Sequence, residues 1–273
     1  MIKSPLRYPG GKSRAIKFLK NYIPAFQEFR EPFFGGGSVS FYCVQTYPKA
    51  KFLASELYYE LYCLWSQLKL EPQALIEELR RVKTDYKNGR VLYQQLMARR
   101  EDSLSDFQRA VDFFVLNRIT FSGVADSGGY SEASFQSRFT DSSIDRLDQA
   151  SQILQTIDIF HQDYSELLNQ PGEDVFIFLD PPYYSVTKSK LYGKKGNLHT
   201  GFDHDRLHQT LVNCPHRWLM TYDNSEYIHH LYQDFYLMPW QLQYGMNNYK
   251  QKQADIGKEL LVANFDLTKI LNN

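Results

Sequence analysis

Asp180, Pro181, Pro182 and Tyr183 follow directly on the apolar run Phe176-Ile177-Phe178-Leu179. Two adjacent prolines carry no backbone donor and have fixed φ, so the strand ends in a rigid loop that starts on a carboxylate. Open α/β sheets bind ligands beyond the carboxyl ends of their strands, which is where this loop falls. A second chemistry-bearing stretch is Glu31-Pro32-Phe33-Phe34-Gly35-Gly36-Gly37-Ser38, followed at the end of the next apolar run by Glu56. A glycine loop between strand and helix lets a ligand approach the backbone, and an acid about 20 residues on suits a ribose diol. Together they point to a nucleoside-containing cofactor. A third stretch, Leu6-Arg7-Tyr8-Pro9-Gly10-Gly11-Lys12-Ser13, ends in Gly-Lys-Ser but has Leu6 where a phosphate-binding P-loop needs its first glycine, so that reading is excluded. His204 and His208 have the i, i+4 spacing of metal ligands. Nothing else supplies ligands, which predicts a solvated helix face.

The elements that must position these groups can be read from apolar patterning. Residues 30–34, 50–57, 157–164, 174–180 and 216–223 read as strands, and the intervening stretches as helices. Continuous apolar strands alternating with helices indicate a mostly parallel sheet covered on both faces. The segments 235–245 and 258–267 read as a closing antiparallel hairpin. Residues 59–116 carry only helical periodicity, and 120–139 is rich in Gly and Ser, with loop or hairpin chemistry. The expectation is a catalytic domain formed by 1–58 and 139–273, interrupted by a helical insert, 59–138, that ends in a polar loop.

Composition bounds the function. Thirty-one basic and 31 acidic residues give a net charge of zero, against the pI above 9 common in nucleic-acid-binding domains. The charge is locally uneven. Residues 1–27 hold six basic residues and no acid, and residues 184–202 hold Lys188, Lys190, Lys194 and Lys195 and no acid. Each run reads either as a solvated face or as a polyanion contact. Three distant cysteines fit reduced thiols, and no apolar run is long enough for a membrane span or a signal-peptide core. These features predict a cytoplasmic protein with no membrane partner.

Tyr8-Pro9-Gly10-Gly11-Lys12, then Pro32-Phe33-Phe34-Gly35-Gly36-Gly37, then Asp180-Pro181-Pro182-Tyr183 resemble, in that order, the Dam-type (D12 class) DNA adenine-N6 methyltransferases. The resemblance extends to Asn117-Arg118-Ile119-Thr120-Phe121-Ser122-Gly123, to Gly201–Leu207 and to Lys258–Phe265. It implies a Rossmann-like α/β fold with the insert as target-recognition subdomain. The cofactor is then S-adenosylmethionine, with S-adenosylhomocysteine as product and no metal. The resemblance places Tyr8, Pro9, Gly10, Lys12, Phe33, Gly35, Gly37 and Ser38 around that cofactor, together with Asp180. Glu56 falls at its ribose, in place of the family's usual Asp, and Asp163 and Tyr164 fall beside its adenine.

On that reading Asp180 and the Pro181 carbonyl accept hydrogen bonds from the adenine amino group and localise its lone pair for attack, while Pro182 stiffens the loop. Tyr183 stacks on a base flipped out of duplex DNA. Asn117, Arg118, Phe121, Ser122 and Arg138 become candidates for DNA contact, and the four lysines for phosphate contact. Relatives reading GATC carry an Arg three residues after the turn glycine. Here that position is Asp126, which cannot donate to guanine, so GATC is not expected. A cognate restriction endonuclease remains open as a genetic partner, and the chain is expected to be a monomer. An RNA or protein-amide methyltransferase, and a non-catalytic DNA-binding relic, are the competing readings.

Overall fold

The computed structural model describes residues 1–184, 201–243 and 256–270. Seven strands form one sheet: β1 Glu28–Glu31, β2 Lys51–Ser55, β3 Ile157–Phe160, β4 Val175–Leu179, β5 Arg217–Asp223, β6 Tyr236–Gln243 and β7 Ile256–Ala263. Their spatial order is β3-β2-β1-β4-β5-β7-β6. The first five pair in parallel, and β7 pairs antiparallel with both β5 and β6. The chain runs outward from β1 through β2 to β3, then returns to place β4 on the other side of β1. That reversal opens a crevice at the carboxyl ends of β1 and β4, the standard ligand position of such sheets. The fold agrees with the Rossmann-like expectation, closing hairpin included.

The first strand departs from its expected bounds, 30–34. It runs from Glu28 to Glu31, because Pro32 has no N–H to continue a ladder. Its charged residues are nonetheless buried. Arg30 pairs with Glu28 at 2.6 Å and donates to the carbonyls of Leu167, Gln170 and Pro171, so these two buried charges have partners.

Helices cover both faces: α1 Ile16–Leu19, α2 Ser38–Thr46, α3 Tyr59–Leu70, α4 Pro72–Asp85, α5 Gly89–Ala98, α6 Asp106–Ile119, α7 Glu132–Arg138, α8 Asp141–Leu154, α9 Tyr164–Asn169, α10 His204–Val212, α11 Glu226–Leu231 and α12 Leu267–Ile270. Helix α7 lies in the stretch expected to be loop or hairpin. Its cap is Ser131, whose hydroxyl accepts from the Ser134 N–H at 3.2 Å. Hairpin pairing in that stretch is limited to an isolated antiparallel bridge between Thr120 and Tyr130. The long helix α6 opens on a capping box of Ser105 and Gln108 and is buried from Ala110 to Ile119. Its Phe114 and Leu116 share one apolar core with Trp65 of α3 and with Phe29, Phe52 and Phe176 of the sheet. Among the described residues no helix is long and apolar enough to cross a membrane.

Candidate active site

A cavity of about 640 Å³ lies at the carboxyl edge of the sheet. Each wall comes from the end of a different element. Pro32–Val39 follow β1, Glu56 follows β2, Asp163 and Tyr164 follow β3, and Asp180–Tyr183 follow β4. Asp223 ends β5, and Gly257–Glu259 enter β7, which runs antiparallel and so starts at this same edge. The N-terminal segment Tyr8–Lys12 closes the cavity from the side. All expected catalytic and cofactor residues therefore converge: Tyr8, Pro9, Gly10, Lys12, Phe33, Gly35, Gly37, Ser38, Glu56, Asp163, Tyr164, Asp180, Pro181, Pro182 and Tyr183 line one cavity.

Lys12 is the chemical hinge of the site. It is 3% exposed, and its Nζ lies 2.7 Å from Oδ1 and 2.8 Å from Oδ2 of Asp180, and 2.9 Å from the Gly10 carbonyl. Two of these are hydrogen bonds, to Oδ2 and to the Gly10 carbonyl, and the approach to Oδ1 is an ion-pair contact. Thr221 on β5 donates to Asp180 Oδ1 at 2.7 Å. A carboxylate offers about four acceptor directions, so with one hydrogen bond on each oxygen, acceptor capacity is left on both. The Lys12 ammonium also sits 5.0 Å from the Tyr183 ring centre. Lys12 thus serves this cavity by holding Asp180.

The glycine loop is shaped by aromatic rings. A Cβ on Gly35, at φ +48°, would lie 2.7 Å from the Tyr8 ring, and one on Gly37, at φ +63°, 2.7 Å from the Phe34 ring. Trp65 of α3 donates to the Gly35 carbonyl at 2.9 Å, tying the loop to the helical region. Glu56 accepts from the Gly35 N–H through one oxygen and from the Tyr58 N–H through the other, each at 2.8 Å. Burial pushes its pKa up to about 7 against the opposing pull of these bonds. Beneath the loop, Glu31 accepts from the backbone N–H and the hydroxyl of Ser40 in the first turn of α2. Burial drives the Glu31 pKa up to about 8, outweighing the Ser40 bonds, with the Asp180 charge adding to the rise and Lys12 opposing it.

At the far side Phe33 stacks on Tyr164 with centroids 5.2 Å apart and meets Phe202 edge-on at 5.7 Å. Asp163 caps α9 through the Ser165 N–H, and Arg206 grips it through two nitrogens at 2.7 and 3.1 Å. Burial works to raise the Asp163 pKa, but the Arg206 and Ser165 bonds outweigh it and hold the group below the usual carboxylate range. Thr221, Arg206, Asp223 and Glu259 were not among the sequence candidates. The terminal Lys258–Phe265 stretch contained the signal for Glu259, without a role attached to it.

The candidates for DNA contact divide. Asn117 is 0% exposed and donates to the carbonyls of Arg7 and Gly123 at 2.8 and 2.9 Å. Arg118 is 2% exposed and donates to the Pro5 carbonyl. Burial and these internal bonds remove both from the surface, which corrects the expectation that they meet DNA. Phe121, by contrast, is 62% exposed, on a turn in which Ser122 and Gly123 both take positive φ. Arg138 is exposed at the end of α7. Asp126 is buried against Arg100 in an ion pair. Lys188, Lys190, Lys194 and Lys195 lie outside the described residues. The histidine expectation is also corrected: His204 is buried against the Tyr222 hydroxyl, and His208 packs edge-on to Tyr232. No metal-holding cluster occurs among the described residues.

A mostly parallel sheet with a glycine loop after β1, an acid after β2 and Asp-Pro-Pro-Tyr after β4 defines a Rossmann-like methyltransferase. The chain belongs to the D12 class of N6 adenine-specific DNA methyltransferases, whose family model matches residues 8–246. It is 22% identical over 209 residues to the type II methyltransferase M.MjaIII of Methanocaldococcus jannaschii, covering 70% of this chain and 72% of that protein. It is 25% identical over 188 residues to the DNA adenine methylase of Vibrio cholerae, covering 65% of this chain and 64% of that one. A longer match, 23% identical over 270 residues, joins it to the type II methyltransferase M.CviBI of Paramecium bursaria Chlorella virus NC1A, covering 95% and 96% of the two chains.

Proposed function

We propose that the cavity binds S-adenosylmethionine and a single adenine flipped out of duplex DNA, and that Asp180 with the Pro181 carbonyl activates the adenine N6 for methylation. The observation that carries this reading is the pinning of Asp180 by Lys12 and Thr221 with acceptor capacity left over. A fixed acceptor needs no reorganisation as positive charge develops on the attacking nitrogen, which is how such groups lower a barrier. The donor-free Pro181-Pro182 backbone presents only a carbonyl to the same amino group, and Tyr183 supplies a stacking surface that offsets part of the unstacking cost.

The residues fit the cofactor. Gly35, Gly36 and Gly37 line the cavity without side chains of their own, so a ligand can approach their backbone closely. Glu56 keeps acceptor directions beyond the two used by backbone N–H groups, as a ribose diol requires. Phe33, Tyr164 and Phe202 form an aromatic wall for its adenine, beside Asp163. When bound, the cofactor supplies an electrophilic methyl group on a sulfonium.

The insert, 59–138, is the part we assign to target recognition. Arg7, Arg118, Arg138 and Arg146 lie near one another: burial and then the Arg138 charge lower the Arg7 pKa, and the charges of Arg146, Arg7 and Arg138 all act on Arg118. Arg118, pushed down to about 9 mainly by burial and then by Arg146, Arg7 and Arg138, is still cationic at neutral pH. None of the four pairs with a carboxylate among the described residues, whereas Arg30, Arg80, Arg99, Arg100, Arg109, Arg206 and Arg217 all do. Unneutralised like charge on one face favours a polyanion, so Arg138, Arg146 and Phe121 form the face we assign to the DNA backbone and the emptied base site. With Asp126 buried against Arg100, nothing at that position donates to guanine, which supports a target other than GATC.

The test is to incubate the protein with methyl-labelled S-adenosylmethionine and duplex DNA, RNA or bulk protein in parallel. Label on adenine N6 of DNA is expected. Label on RNA or protein alone would overturn the reading in favour of the competing methyltransferases.

A further inference from the structure

The register of β5 with β7 sets Asp223 directly opposite Glu259. Residues so paired on antiparallel strands project from the same face, and like charges there repel. Both are also buried, Asp223 at 7% and Glu259 at 1% exposure. Two adjacent buried carboxylates are tolerated only where donors reach them. Here the donors include consecutive residues of the loop after β4. The Tyr184 N–H donates to Asp223 Oδ1 at 2.8 Å, and the Tyr183 hydroxyl donates to Glu259 Oε2. The Tyr183 ring is further stacked on Tyr222, with centroids 5.9 Å apart and planes at 29°. The loop that carries the reacting groups is therefore tied at its far end to an acidic cross-strand pair.

We infer that Glu259 is a positioning residue for methyl transfer: it acts through the Tyr183 hydroxyl to fix the ring on which the target adenine stacks, while Asp223 fixes the backbone that follows. The inference rests on the proposed reading of Tyr183 as the base-stacking ring. A charged acceptor on a phenol hydroxyl gives a strong bond, so losing it frees the ring to leave its plane. Precise placement matters because a small displacement of a reacting group costs rate out of proportion to its size. The roles differ from that of Asp180, which meets the amino group itself.

Two double-variant cycles on Glu259→Gln and Tyr183→Phe test this. In urea unfolding of the protein alone, the coupling between the two changes is expected to be about tenfold in the unfolding constant, the worth of a hydrogen bond to a charged group. In methyl transfer to duplex DNA, each single variant is expected to lose about tenfold in kcat with unchanged KM for S-adenosylmethionine, and the double variant no more than either single one. Changes that act independently in unfolding, or kcat losses that multiply to within about twofold, would overturn the inference. Should the unaltered protein label no adenine, the proposed function fails, and the unfolding cycle still decides whether Glu259 holds Tyr183.

Discussion

Replacing Lys12 by Met keeps the length and apolar stem of the side chain and removes its charge. The consequence can be worked from the geometry. The ammonium lies 2.7 and 2.8 Å from the two Asp180 oxygens, and only 3% of Lys12 and 20% of Asp180 are exposed. At an effective dielectric near 20, the gross attraction at that distance is about 6 kcal/mol. Most of it is offset by the cost of burying both charges, but breaking one side of a buried pair strands the other and costs about 3–5 kcal/mol. Asp180 keeps Thr221 and some solvent, so the lower end, about 3 kcal/mol, is expected for Lys12→Met. Urea unfolding near neutral pH measures this directly. The double variant Lys12→Met/Asp180→Asn has no stranded charge and should recover a large part of the loss. Methyl transfer should stay down by about a hundredfold in both, since neither holds a fixed anionic acceptor at N6. A Lys12→Met protein within about 0.5 kcal/mol of the unaltered chain, the range of inconsequential surface changes, would refute the reasoning. So would a double variant no more stable than Lys12→Met alone.

Other outcomes follow from the same structure. Gly37→Ala forces a side chain into positive φ against the Phe34 ring and should cost about 1–2 kcal/mol in unfolding, with weaker S-adenosylmethionine binding by calorimetry. Glu31, raised from 4.5 to about 8 in the fold, stabilises fully below pH 4.5 and loses that contribution as pH rises to about 8. Glu31→Gln should therefore flatten stability between those pH values by up to about 5 kcal/mol, as read by urea unfolding at a series of pH values. Arg138→Ala should lower DNA affinity and reduce the salt slope by about one while leaving S-adenosylmethionine binding intact. Asn117→Ala, which strips a donor from the buried Arg7 and Gly123 carbonyls, should instead appear in unfolding, at about 1–3 kcal/mol.

Much of this architecture was legible because buried parallel strands must be apolar on both faces and must end in something else. Phe176–Leu179 followed by Asp-Pro-Pro is a strand and its stop in one phrase, and the other loop motifs fall at strand ends for the same reason. Strand β1 reads two residues late in the sequence because charged Glu28 gives no apolar signal for a strand start and Phe33-Phe34 do. Only the fold brings the Leu167, Gln170 and Pro171 carbonyls to Arg30. Asn117 and Arg118 misled in the opposite direction. A polar pair beside an exposed turn looks like a reading head, and nothing local reveals that Arg7 and Pro5, more than a hundred residues away in sequence, accept hydrogen bonds from them. His204 was hidden similarly by its contact with Tyr222. Thr221, Asp223 and Glu259 are invisible to motif reading because their roles depend on the register of β4 with β5 and of β5 with β7.

The most direct test of the central claim is made in DNA rather than on the protein. DNA from methylation-free cells expressing this chain can be sequenced for modified bases and hydrolysed for nucleoside mass spectrometry. The account predicts N6-methyladenine within one recurrent sequence, and none when Asp180→Ala is expressed at equal level. DNA that gains no N6-methyladenine, or gains it equally with Asp180→Ala, would contradict the account.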